Sequence, residues 1–176
     1  RMNKYVERIL LQAKLDRREV HLKKVPVNLN VLVDEAVEHF RLQVEEKGGV
    51  IRAELDPEGY VISADEVHML NVVCNLIDNA IKYSHDSLNI YIYTKQEGNR
   101  FIIGVRDTGI GIPKEAQDKV FKRFYRVPSG NVHNVKGFGL GLSYAKSIVE
   151  LHGGEIQLTS KKNKGTQVEI IFKMES

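Results

Sequence analysis

Three short segments that follow one another in a fixed order constrain the fold of this chain more than any other feature. They are residues 75–83 (NLIDNAIKY), 107–111 (DTGIG) and 137–142 (GFGLGL). The first offers amide side chains that suit a metal ion. The second offers a carboxylate that can accept a hydrogen bond from a base, and the third a glycine-led helix start that suits phosphate. Together they predict one nucleotide pocket in one domain, built without a Walker sequence.

Length, charge and apolar content narrow the class of protein. The 176 residues fit one domain with a short appendage, and a 42% apolar fraction supports a core. No apolar run approaches the ~20 residues of a membrane-spanning helix, and no secretion leader is recognisable. The net charge of +3 is spread along the chain, which does not suggest nucleic-acid binding. The single Cys74 excludes an internal disulfide and fits a reducing cytoplasm. Together with the lack of a long apolar run, this predicts a cytoplasmic domain that does not contact the membrane.

Hydrophobic periodicity predicts the secondary structure. Residues 1–19 carry an apolar stripe at helical spacing and predict an amphipathic helix that packs on a partner. Asn28 or Asn30 caps a second helix, and Asp65 caps a third that reaches about Tyr83. Two more helices are predicted, near residues 114–120 and 138–152. Strands are predicted at residues 25–28, 50–55, 60–63, 88–94, 100–106, 155–160 and 166–173.

The order of these elements predicts the fold class. A short link between residues 88–94 and 100–106 favours an antiparallel hairpin. A turn at residues 56–59 joins the strands at 50–55 and 60–63. The sum is an α+β fold, namely a two-layer α/β sandwich whose mixed, mostly antiparallel sheet carries helices on one face.

The predicted helix at residues 65–83 separates an apolar side from a side that carries Asn75, Asn79 and Lys82. Residues four apart are neighbours on a helix surface, so Asn75 and Asn79 can act on one object. An amide oxygen is a hard ligand suited to Mg²⁺, Lys82 adds a positive charge toward phosphate, and Tyr83 can lie against a base. The alternative is a polar helix face in water, which for Asn75 alone is the better explanation.

Each of the two glycine-rich segments can also be explained without a bound ligand. Asp107 ends a strand and can accept a hydrogen bond from an adenine amino group, while Gly109 and Gly111 let a ligand approach the backbone; the alternative is an ordinary turn. An aspartic protease would need a second copy of this motif, which the sequence lacks. The segment at residues 137–143 fits neither the P-loop nor the dinucleotide pattern, and its alternative is a hinge without ligand.

Together the motifs are similar to the N, G1, F and G2 boxes of the catalytic and ATP-binding domain of bacterial sensor histidine kinases, which have the Bergerat ATP-binding fold. The matching segments are residues 75–83, 107–112, 121–126 and 137–142, with a small glycine motif at 164–166. The resemblance covers roughly residues 20–174. It implies that residues 1–22 are the tail of the second dimerisation and histidine-phosphotransfer helix, and that residues 23–176 form the kinase catalytic domain.

The resemblance also implies a role for each matching residue. Asn79 would ligate Mg²⁺, with Asn75 beside it as the second metal ligand. Lys82, with Arg123 or Arg126, would reach the phosphates of ATP, so that Asn79, Lys82 and Arg126 form the implied catalytic set. The residues implied to contact the nucleotide are Asn75, Asn79, Lys82, Tyr83, Asp107, Gly109, Gly111, Ile112, Phe121, Arg123, Phe124, Tyr125, Gly137, Gly139, Leu140, Gly141, Leu142 and Thr166.

The implied reaction is transfer of the γ-phosphoryl group of ATP to a histidine outside this fragment, because the acceptor motif of the family appears nowhere in the sequence. The implied partners are the protein's own dimerisation and phosphotransfer domain and a response regulator, without nucleic acid. The parent would be a homodimer, either soluble or anchored in the inner membrane, and the fragment a monomer.

Two other functions stay open. Self-sufficient ATPases of this fold place a Glu general base four residues before the metal-binding Asn. That position is Asn75 here, which cannot take a proton from water at neutral pH, so we predict very slow ATP hydrolysis. The other candidate is a non-catalytic ATP-sensing module. Degenerate family members of that kind usually lose the glycines or the metal-binding Asn, and this chain keeps both.

Overall fold

The computed structural model describes residues 3–84, 87–123, 125 and 141–175. These parts of the chain form five helices and seven strands. The elements are α1 (Lys4–Asp16), β1 (Lys24–Asn28), α2 (Leu29–Glu46), β2 (Val50–Glu54), β3 (Val61–Asp65), α3 (Glu66–Lys82), β4 (Asn89–Glu97), β5 (Arg100–Asp107), α4 (Lys114–Gln117), α5 (Gly141–Leu151), β6 (Glu155–Lys161) and β7 (Gly165–Lys173).

The strands form a mixed, mostly antiparallel sheet, as predicted. Its order is β2-β4-β5-β7-β6, and β2–β4 is the parallel pair among the strands that the structure describes. The predicted hairpin of β4 and β5 is confirmed. A separate antiparallel pair, β1–β3, was not expected as a sheet of its own.

The turn between β2 and β3 does not form a hairpin, because hydrogen bonds tie it to other elements. Asp56 uses its backbone N–H to donate to Thr94 Oγ1 at 2.8 Å, and its carbonyl accepts from Asn30 Nδ2 at 2.6 Å. Thr94 Oγ1 in turn donates to Asn30 Oδ1 at 2.7 Å. The turn is thereby fixed between β4 and the start of α2, and β3 leaves it to pair with β1.

The core lies between α2, α3 and α5 and one face of the large sheet. The sequence pattern of α2 is confirmed, because its buried residues are the apolar set at helical spacing: Leu29, Leu32, Val33, Ala36, Val37, Phe40 and Val44. Alternate residues of the central strands supply the other side, including Ile90, Ile92, Phe101, Ile103, Val105, Val168 and Ile170. Each buried aliphatic side chain of this size contributes about 1.5–3 kcal/mol, so the core fixes how the helices lie on the sheet.

Polar caps fix where α2 and α3 begin. Asn28, not Asn30, caps α2, since its Oδ1 accepts from the backbone N–H of Asn30 at 3.0 Å. Asp65 caps α3 by accepting from the backbone N–H of His68 at 3.0 Å, and it also accepts from the backbone N–H of Lys23 at 2.9 Å. A cap of this kind stabilises a helix by about 1 kcal/mol. The start of the asparagine-bearing helix is therefore tied to the β1–β3 pair.

Helix α1 packs against α5 through its last turns. Leu15 and Gln12 are buried there. The apolar stripe that is predicted to pack on a partner faces outward in this single chain, with Val6, Ile9 and Leu10 each 44–49% exposed. Among the described helices, none combines the length and the apolar character needed to cross a membrane.

Candidate nucleotide-binding site

The amide side chains of α3 face the first turn of α5. Asn75 and Asn79 are both half-buried, one turn apart on α3. A Cβ placed on Gly141, the first residue of α5, would lie 3.8 Å from Asn79 Oδ1. The amide-bearing helix and the start of α5 are therefore neighbours, and Leu142 lies in the same first turn. Nucleotide binding by these residues stays a prediction.

Lys82 has an ion-pair partner on its own helix. Its Nζ lies 2.7 Å from Asp78 Oδ2, and each of these side chains is about one-third exposed. Acidic and basic residues four apart on a helix form such pairs routinely, and sequence reasoning overlooked this one. The predicted contact of Lys82 with phosphate stays a prediction.

Asp107 stands at the end of β5 with its carboxylate largely enclosed. Burial raises the pKa of this carboxyl group to about 6, and this effect outweighs the opposing hydrogen bonds from the backbone N–H groups of Gly109 and Thr166. The bond from Gly109 to Asp107 Oδ1 measures 2.8 Å. An enclosed carboxylate oxygen at a strand end is suited to select a ligand by its hydrogen-bond donors.

Other segments of the protein's own backbone lie close to the first glycine turn. A Cβ on Gly109 would lie 2.2 Å from the carbonyl oxygen of Tyr83, and Ile110 N–H donates to that same oxygen at 3.0 Å. Gly111 has φ +69°, and a Cβ there would lie 2.0 Å from the carbonyl oxygen of Lys161. The turn is held between the end of α3 and the β6–β7 turn. Ligand contact at these glycines stays a prediction.

Ser160 and Gln117 support the turn that follows Asp107, and sequence reasoning missed both. Ser160 Oγ accepts from the backbone N–H of Ile112 at 2.7 Å and lies 2.8 Å from Thr166 Oγ1. Gln117 Nε2 donates to the carbonyl oxygens of Ile112 and Ser160, both at 2.9 Å. These bonds tie the turn after Asp107 to β6 and β7. The sequence did offer one signal for Ser160, which stands at the end of a predicted strand just before the glycine motif at 164–166.

The F-box segment lies beside α5 and α1. The ring of Phe121 lies 5.6 Å from Lys146 Nζ of α5, and Arg123 Nη1 lies 2.5 Å from Asp16 Oδ2 of α1. Tyr125 is half-buried. Five predicted site residues lie outside the described residues: Phe124, Arg126, Gly137, Gly139 and Leu140.

Comparison with known sequences identifies the family. The sequence model of the histidine kinase-, DNA gyrase B- and HSP90-like ATPases matches residues 64–176. The chain belongs to this ATPase family. Sensor protein RprX of Bacteroides fragilis is 42% identical over 169 residues, which are 95% of this chain and 33% of RprX. Sensor protein kinase WalK of Staphylococcus saprophyticus is 34% identical over 177 residues, 99% of this chain and 29% of WalK.

The solved structures agree with this assignment to the ATPase family. The nucleotide-free catalytic domain of histidine kinase ThkA superposes with a TM-score of 0.74 at 27% identity, covering 86% of this chain and 98% of that domain. This chain spans about a third of the length of the curated relatives RprX and WalK. It is an ATP-binding catalytic domain of the sensor histidine kinase type, as the motifs predicted.

Proposed function

We propose that this domain binds ATP with Mg²⁺ and transfers the γ-phosphoryl group to a histidine located outside residues 1–176. The observation that carries the proposal is the apposition of Asn79 and Gly141, which brings amide oxygens to the start of a helix. Free N–H groups and the positive end of the helix dipole favour phosphate at such a helix start. The reaction class follows from the sensor kinases that the chain resembles over nearly its whole length.

Asp107 would hold the adenine. Its carboxylate would accept a hydrogen bond from the exocyclic amino group, while guanine would present a carbonyl oxygen there and leave two acceptors facing each other. Because the carboxylate is enclosed, such a mismatch would be poorly compensated by water. The turn held by Tyr83 and Ser160 keeps this acceptor in place before the ligand arrives.

The phosphate end fits a magnesium ion. Mg²⁺ takes few protein ligands and completes its shell with phosphate oxygens and water. The amide oxygens of Asn75 and Asn79, on one face of α3 beside the start of α5, match that requirement. When bound, the ion supplies charge neutralisation at the phosphates. Lys82 would add a positive charge, and it would have to exchange its pair with Asp78 for a phosphate oxygen.

A self-sufficient ATPase is the second candidate, and the site argues against it. Position 75 carries an amide that cannot act as general base. The neighbouring Asp78 precedes Asn79 by one residue, so its carboxylate points to a different side of the helix. We therefore expect very slow ATP hydrolysis by the domain alone, and phosphate release at ~10 per second, an ordinary enzyme turnover, would contradict this.

We also assign residues 1–22 to the tail of a dimerisation and phosphotransfer helix and residues 23–176 to the catalytic domain. The outward apolar stripe of Val6, Ile9 and Leu10 supports this division, because such a stripe needs a second helix to cover it. The parent would be a homodimer that acts in the cytoplasm, where ATP is available, and passes its phosphoryl group to a response regulator.

A phosphotransfer assay tests the proposal. The chain is incubated with ATP labelled on the γ-phosphate and a separately produced dimerisation and phosphotransfer domain. Label on a histidine of that domain supports the kinase. ATP binding in calorimetry without any label would favour the ATP-sensing module, and absence of heat from ATP, with or without Mg²⁺, would overturn the nucleotide site itself.

A further inference from the structure

Four polar residues join α1 to the catalytic domain, and we call them the α1 junction: Gln12, Asp16, Arg123 and Ser143. Gln12 Oε1 accepts from Ser143 Oγ at 3.3 Å, and Gln12 Nε2 donates to Asp16 Oδ1 at 3.2 Å. The other oxygen of Asp16 pairs with the guanidinium of Arg123 at 2.5 Å. The two α1 residues are one helical turn apart, so they present one face to the domain.

The α1 junction fixes α1 in one position. Gln12 is only 3% exposed, and a buried amide is costly unless its partners are in place. Displacing α1 along its axis would separate Gln12 from Ser143 and Asp16 from Arg123, and so would break both contacts together. The α1 junction therefore favours this position of α1 over positions that are shifted along the helix axis.

The α1 junction lies at the phosphate end of the nucleotide site. Ser143 is the third residue of α5, in the turn whose first residue, Gly141, faces Asn79. Arg123 belongs to the segment whose ring residue, Phe121, lies against α5. One end of α1 thus holds two groups that border the place proposed for the triphosphate.

We infer that Asp16 is a positioning residue that holds Arg123 away from the triphosphate in the nucleotide-free chain. The inference rests on the proposed function, in which Arg123 reaches the γ-phosphate. A guanidinium that binds phosphate in a bidentate manner cannot keep the same pair with Asp16. ATP and the Asp16 contact therefore compete for one side chain, and by linkage each weakens the other by the same factor.

The size of the coupling follows from the exposure of the pair. The side chains of Arg123 and Asp16 are 49% and 37% exposed, so solvent screens their attraction. Removing an exposed ion pair of this kind typically changes the equilibrium constant that the pair influences by about 1.5- to 5-fold. Asp16 would therefore adjust ATP affinity modestly without closing the site.

Calorimetric titration of the whole chain with ATP and with ADP, in the presence of Mg²⁺, tests the inference. Asp16→Asn should raise ATP affinity by about 1.5- to 5-fold and leave ADP affinity unchanged, because ADP lacks the γ-phosphate. Asp16→Glu should keep the pair and the wild-type ratio of the two affinities. The matched control is Glu7→Gln, which removes the same charge from the exposed face of α1 and should change neither affinity.

Hydrogen exchange supplies the reciprocal measurement. Saturating ATP should speed exchange of backbone amides near Asp16 in the wild-type chain, whereas ADP should not. An unchanged ratio of ATP to ADP affinity in Asp16→Asn, with ATP still bound by the wild type, would overturn the inference alone. A wild-type chain that binds no ATP would overturn the proposed function and this inference with it.

Discussion

The ring of His152 accepts a hydrogen bond from the backbone N–H of Asp65, with Nε2 3.0 Å from that nitrogen. The other ring nitrogen, Nδ1, lies 2.7 Å from the carbonyl oxygen of Ile148, to which it can only donate. The pair of bonds requires a neutral ring with its proton on Nδ1. His152 thereby joins the end of α5 to the start of α3, the two helices that carry the residues proposed to bind phosphate and metal.

We expect this contact to make stability depend on pH. Burial, the largest cause, lowers the pKa of His152 from its ordinary 6.5, so the unfolded chain takes up the proton first. The contribution is full above pH ~6.5 and is lost as the pH falls below that value, with a slope of up to ~1.4 kcal/mol per pH unit. Urea unfolding of wild type and His152→Gln between pH 7.5 and 5.5 measures it.

The free energy of unfolding of His152→Gln should depend less steeply on pH than that of the wild type. The raised pKa of Asp107 acts in the opposite direction between pH 3.8 and about 6, and subtracting the variant from the wild type removes this effect. The control is His21→Gln, which removes a histidine from an exposed position. Equal slopes for His152→Gln and wild type would show that the ring is not held neutral.

ATP affinity should also fall in acid, through Asp107. The carboxylate form accepts from adenine, and its pKa of about 6 in the free chain means that protonation competes with binding below that pH. Affinity should therefore be constant above pH ~7 and fall by up to ~10-fold per pH unit below pH 6.

Asp107→Asn should remove this pH dependence, make the free energy of ATP binding less favourable by about 1.5–3 kcal/mol and weaken the preference for ATP over GTP. An unaltered preference in titrations with both nucleotides would disprove the role of Asp107.

Asn79→Asp should weaken binding of ATP with Mg²⁺ by about 10-fold. The change places a negative charge at a half-buried position beside the proposed phosphates, where the effective dielectric constant is lower than in water. Asn99→Asp adds the same charge at the exposed β4–β5 turn, at the other end of β5 from Asp107, and should leave the affinity unchanged. Calorimetry that gives equal affinities for the two variants would remove Asn79 from the metal site.

Gly111→Ala should destabilise the fold more than Gly98→Ala, although both glycines have left-handed backbones with φ +69° and +63°. At Gly98 nothing lies within 4 Å of the added Cβ, so the cost is the backbone strain alone, about 1–2 kcal/mol. At Gly111 the Cβ would meet the carbonyl oxygen of Lys161 at 2.0 Å, which raises the expected cost to about 3 kcal/mol or more. Equal urea midpoints for the two variants would mean that the β6–β7 turn can move away.

The parts of the structure that were predictable from sequence depend on local patterns. The apolar spacing in α2 marked each of its buried residues, and the ends of α3 followed from Asp65 and Tyr83. The choice between Asn28 and Asn30 could not be made, because Asn30 serves instead as a bridge to Thr94 on a strand far along the chain. The Asp16–Arg123 pair was likewise invisible, since it depends on how α1 docks rather than on spacing.

The position of β7 in the sheet has a consequence for biosynthesis. This strand lies between β5 and β6, although it follows both in the chain. During translation, β5 and β6 leave the ribosome without the neighbour that each requires, and their exposed edges are open to pairing with other nascent chains. The sheet can close only after Lys173 has cleared the exit tunnel, so a transcript cut short within this strand would yield an aggregation-prone product rather than a weaker ATP-binding domain.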